Sequence, residues 1–65
     1  MKLDQFLKWN SIVATGGEAK QIITAGHVKV NGSIERRRGR KLNSGDFISF
    51  GDQVLIFGNN TDEKP

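Results

Sequence analysis

Cysteine is absent from the chain, histidine occurs once, and the only proline is the last residue. Without cysteine there is no disulfide, no thiolate metal site and no thiol nucleophile. A single histidine, His27, with no second ligand nearby excludes a histidine-built metal centre. With proline confined to position 65, no proline breaker interrupts the body of the chain. No apolar run approaches the roughly 18 residues of a membrane-spanning helix. Met1-Lys2-Leu3-Asp4-Gln5 places an acid where a signal peptide would begin its apolar run, so a cytoplasmic protein is expected. Sixty-five residues make one small domain. A chain of that size buries only about 60% of the surface its unfolded form exposes.

What the chain does contain is concentrated charge. Five of its ten basic residues fall within six positions, Arg36-Arg37-Arg38-Gly39-Arg40-Lys41. Residues 1–35 are nearly balanced and residues 42–65 are net acidic, so the overall charge of +3 comes from this block. Self-repulsion makes such a run unfavourable unless it is a tail or meets a polyanion. Periodic apolar sequence on both sides argues against a tail. The block therefore reads as a phosphate clamp of arginine forks, with Gly39 letting the chain bend so that its neighbours converge. The plainer readings are a solvated loop or a nuclear-import-like patch.

Leu3, Phe6, Leu7, Asn10 and Val13 recur at helical spacing, which predicts a helix over residues 3–10. Trp9 lies about 100° from the centre of that stripe, at its boundary. Thr15-Gly16-Gly17-Glu18 reads as a capping box, the hydroxyl bonding the Glu18 N–H and the carboxylate returning to Thr15. A second helix is expected over 16–25, ended by Gly26 in the left-handed conformation. The period then falls to two. Val28 and Val30 flank an outward Lys29, and Asn31-Gly32 signals a hairpin. A strict two-residue turn would put Ile34 opposite Lys29, so a longer turn or a bulge near Ser33 is expected. Gly45-Asp46 marks another turn, and Gly51-Asp52 joins Phe47–Phe50 to Gln53–Phe57. The order α-α-β-β-β-β gives an α+β domain over residues 1–58, with 59–65 as a disordered tail.

Around the arginine block, Lys2, Lys8 and Lys20 could complete a basic groove, although Lys8 could pair with Asp4 one turn away. Lys29 and Asn31 join the candidates from the first hairpin. Trp9 either covers the edge of the core or offers a stacking platform to an unpaired base. His27 is structural or a phosphate contact. Gly16-Gly17 at a helix start resembles an anion cradle, but no Walker lysine and no preceding strand accompany it. No nucleophile–base pair or paired carboxylates can be placed, so no enzyme and no cofactor are expected.

Leu3-Asp4 with Leu7, then Ala19, Ile23, Gly26, Val28, Val30-Asn31-Gly32 and Gly45-Asp46 resemble the S-four-type RNA-binding domain, also called the alpha-L motif. The resemblance runs from Lys2 to about Phe50 and is nearest to the small stand-alone bacterial members (YbcJ-like and YaaA-like proteins). It implies two helices packed on a small curved antiparallel sheet, with RNA held across the helices and adjacent loops. By position it assigns Lys2, Asp4, Thr15, Gly16, Glu18, Lys20, Gly26, Val28 and Asn31 to that surface. Many members carry Ser-Arg where this chain has Thr15-Gly16, and Arg36–Lys41 would replace the missing cation. In larger members the domain is an appendage delivering a catalytic domain, such as a pseudouridine synthase or a tyrosyl-tRNA synthetase.

The expectation is a monomeric binding module for structured RNA: rRNA, tRNA or a ribosomal particle. Its candidate contacts are Lys2, Lys8, Thr15, Gly16, Lys20, His27, Lys29, Asn31, Arg36, Arg37, Arg38, Arg40 and Lys41, with Trp9 for stacking. The rival is a protein adaptor whose basic loop grips an acidic partner. DNA fits less well because no helix carries a row of base-reading side chains. A membrane surface fits less well because no amphipathic apolar face adjoins the basic run.

Overall fold

Leu3, Phe6 and Leu7 are all buried on one face of a short helix, α1, Leu3–Trp9. Asn10 ends it by turning its side-chain amide back onto the Phe6 carbonyl. Ser11 then takes a left-handed φ of 61°, and the N–H groups of Ser11 and Ile12 return to Lys8 and Leu7. This closure satisfies two carbonyls of the last turn. The second helix, α2, Gly16–Thr24, starts on the expected cap: Thr15 Oγ1 accepts from the Glu18 N–H at 3.1 Å. The return bond differs by one residue. Glu18 Oε1 accepts from the Ala14 N–H at 2.7 Å, not from Thr15. Ala19 and Ile23 point inward from α2.

The structure is a computed structural model, which describes residues 1–58; the expected tail, 59–65, lies outside the described residues. After the helices come β1 (Val28–Val30), β2 (Ser33–Ile34), β3 (Phe47–Phe50) and β4 (Gln53–Ile56). They form one antiparallel sheet in the order β2-β1-β3-β4. The α+β architecture is the expected one. Val28, Val30 and Ile48 face the helices and close the core with Val13 and Leu42. Phe57 packs edge-on against Phe6, with ring centroids 5.8 Å apart.

The first hairpin departs from expectation. Val30 pairs with Ser33 and Lys29 with Ile34, so Asn31-Gly32 is a strict two-residue turn without a bulge. Both turn residues have positive φ, 55° and 87°, as a type I′ turn requires. Ile34 is consequently 52% exposed beside Lys29. The position facing the core opposite Val28 passes to Glu35, whose N–H donates to the Val28 carbonyl. The Asn31 side chain fixes this register: its Oδ1 accepts from the Phe47 N–H, and its Nδ2 donates to Asp46 Oδ1, both at 3.0 Å. The opposite sheet face carries Lys29 and Ser49 among the exposed apolar residues Ile34, Phe47, Val54 and Ile56.

Candidate nucleic-acid interface

The chain between β2 and β3 carries the arginine block across the start of α1. The Leu3 N–H donates to the Arg40 carbonyl at 2.8 Å and the Asp4 N–H to the Arg38 carbonyl at 3.1 Å. No side chain caps α1. The loop backbone thus supplies acceptors that the first helical N–H groups would otherwise lack. Leu42 donates back to the Met1 carbonyl, and Lys2 pairs with Lys41 in an isolated antiparallel bridge. Three backbone hydrogen bonds therefore tie the loop to the N-terminus and bring Lys2 beside Lys41.

Inside the loop, Glu35 is the one buried charged residue among the described residues. Its carboxylate accepts from the Arg37 N–H at 3.1 Å, Arg37 Nε at 2.9 Å, Arg37 Nη2 at 3.3 Å and Arg40 Nη1 at 2.7 Å. The Arg37 and Arg40 side-chain bonds hold its pKa down at about 2, against the opposing effect of burial. One carboxylate thereby offsets part of the block's self-repulsion and folds two of its cations around itself. The Arg37 side chain remains 76% exposed, whereas that of Arg40 is 28% exposed.

Arg36 turns the other way. Its Nη1 donates to the Thr24 carbonyl at 2.9 Å, at the end of α2, where a cation complements the helix dipole. The guanidinium lies over Gly26, which has φ of 87°. Gly26 and His27 return their N–H groups to Ile23 and Ile22, closing the helix. Lys20 is exposed on α2, one turn before Thr24 and thus about 6 Å along the axis. A strip of exposed cations is therefore set along the loop, Arg36, Arg37, Arg38 and Lys41, with Lys2 bridged to Lys41 and Lys20 one helical turn before Thr24, to which Arg36 bonds. Arg38 and Lys41 are exposed, and no salt bridge engages either among the described residues.

Other candidates lie apart from this strip. Lys8 borders a shallow concavity with Ser11, Ile12 and Glu18, roughly 9 Å along α1 from Lys2. It forms no ion pair with Asp4, whose Oδ1 instead accepts from the Gln5 N–H. Thr15 and Gly16 sit at the far end of α2 from Arg36. His27 is exposed just beyond α2, and Lys29 is on the sheet face away from the helices. Asn31 has both ends of its amide engaged within the fold. Trp9 is 59% exposed, with most of its indole in solvent. Sequence reasoning missed Glu35. The signal was present, since an Asn-Gly turn in strict register places Glu35 opposite Val28.

Comparison with known proteins adds three findings. Residues 1–56 match the family model described as the S4 domain. A probable ribosome maturation protein RlbA of Bacillus subtilis (strain 168) is 44% identical over 46 residues, covering 71% of this chain and 65% of that protein. Among solved structures, the crystal structure of a pseudouridylate synthase is similar with a TM-score of 0.77 and 28% identity. That match covers 92% of this chain and 26% of the other. The chain thus spans just under two thirds of the curated relative and about a quarter of the synthase.

Proposed function

The chain belongs to the S4 domain family, and from that premise we propose that it is a non-catalytic module that binds structured RNA, rRNA or tRNA, within or on the way to a ribosomal particle. The observation that carries this reading is the set of exposed cations Arg36, Arg37, Arg38 and Lys41 on a loop whose backbone is tied to α1, with Lys2 bridged to Lys41. Such a strip is preorganised, so less loop ordering is required on binding. Backbone contact and shape suit A-form RNA, whose deep, narrow major groove side chains cannot read. The Bacillus subtilis relative, a probable ribosome maturation protein, points the same way.

Within the strip, Arg38 and Lys41 have no salt-bridge partner among the described residues, whereas Arg36, Arg37 and Arg40 each bond within the protein. The decisive test is crosslinking in cells with sequencing of the bound RNA, run beside an Arg38→Ala/Lys41→Ala variant. Enrichment of one rRNA or tRNA site that the variant loses is the expected result. RNA at background level for the unaltered chain, with RNase-resistant capture of an acidic protein, would replace this reading by the adaptor one.

A further inference from the structure

An acidic residue in a phosphate-binding loop weakens the attraction it sits in, so Glu35 needs a compensating role if the loop binds RNA. Its four accepted hydrogen bonds fill about all the acceptor sites of a carboxylate, leaving nothing for a ligand. What it does leave is the outer part of Arg37. Nε and one Nη2 hydrogen face Glu35, while both Nη1 hydrogens and the second Nη2 hydrogen meet no acceptor among the described residues. The side chain is anchored at its inner edge and open at its outer one.

We infer that Glu35 is a positioning residue that holds Arg37 as a pre-oriented fork, and that Arg37 grips one backbone phosphate of the RNA bidentately through that outer edge. The inference rests on the RNA-binding reading above. Paired oxygens of a phosphate match the guanidinium plane, and an arginine fixed in advance loses less rotamer freedom per bond formed. A guanine edge offers a similar acceptor pair. Phosphate is favoured because the flanking side chains, Arg38, Lys41 and Lys2, are all cations and none is a base-reading amide.

The test exploits a reversal of sign. Glu35→Gln adds one positive charge to the patch, so attraction alone makes RNA bind more tightly, whereas loss of positioning makes it bind more weakly. Affinities for a perfectly paired RNA hairpin would be measured by fluorescence anisotropy over a salt series, with circular dichroism confirming that each variant is folded. Glu35→Gln is expected to weaken binding about fivefold or more, and to change nothing further in an Arg37→Ala background, the non-additivity of residues acting through one contact. A merely structural role would lower the melting temperature but weaken binding equally in both backgrounds. Arg37→Lys keeps the charge but loses the fork, and is expected to lose about fivefold with its salt slope intact.

Equal or tighter binding by Glu35→Gln overturns the inference. Should that variant fail to fold, unchanged affinity of Arg37→Lys overturns it instead. A loss confined to hairpins with guanine at one position rejects the phosphate contact. If the unaltered chain binds neither this hairpin nor rRNA and tRNA, the RNA-binding reading itself fails and this inference falls with it.

Discussion

A methyl group added at Gly26 would meet two obstacles of different size. The added carbon would lie 3.0 Å from the Arg36 guanidinium, but that is the end of a flexible side chain and can shift. The φ of 87° is fixed by the helix closure and cannot. Gly26→Ala should therefore destabilise the fold by about 1–2 kcal/mol, checked by urea unfolding. Glu35 sets a pH dependence. Its pKa is lowered in the folded state, from 4.5 to about 2, so its stabilising contribution is complete above the unfolded value and fades as pH falls toward about 2. Asp46, lowered by the Asn43 N–H and the Asn31 amide, acts with the same sign. Thermal midpoints should be level near neutrality and drop between pH 4.5 and about 2, with a shallower drop in Glu35→Gln. Glu35 and Ile34 follow from the strict Asn31-Gly32 turn but not from residue type. A glutamate ordinarily reads as solvated and an isoleucine as buried, and here an edge strand beside two arginines reverses both.

Elements were far more legible, because local chemistry sets their limits. Thr15 begins α2 and Gly26 ends it, as the cap and glycine signals implied. Thr15→Ala removes the acceptor for the Glu18 N–H and should reduce stability by about 1 kcal/mol, again by urea unfolding, with Thr15→Ser close to the unaltered chain. The β3–β4 hairpin turns at Gly51-Asp52 as read from sequence. In the first hairpin, apolar alternation favours a longer turn and the Asn-Gly turn overrides it. Asn31 shows why the turn prevails, since its backbone N–H and its side chain together tie the hairpin to Asp46 and Phe47. The first turn of α1 was legible as helix but not as a docking point, because its acceptors come from backbone some 35 positions later.

On the scale of the whole molecule, the candidate surface combines Lys2 at the N-cap of α1, Lys20 of α2 and the β2–β3 loop. The sequence displayed the loop's charge but not its internal pairing, which decides which cations are free. If about five phosphates are neutralised, the log–log salt slope of RNA binding should be roughly −3 to −5. The Arg38→Ala/Lys41→Ala variant should reduce that slope by about two with little change in melting temperature. The bonds from Leu3 and Asp4 to the Arg40 and Arg38 carbonyls carry one more consequence. Those amides exchange with solvent only when the loop lets go of the helix, and a ligand that needs the closed loop suppresses that opening. With RNA at about a hundred times its Kd, their hydrogen exchange should slow about a hundredfold. The Gly45 and Phe57 amides, at the β3–β4 end, should keep their local rates. Two N–H groups that never touch RNA thereby become an internal gauge of how fully the loop is occupied.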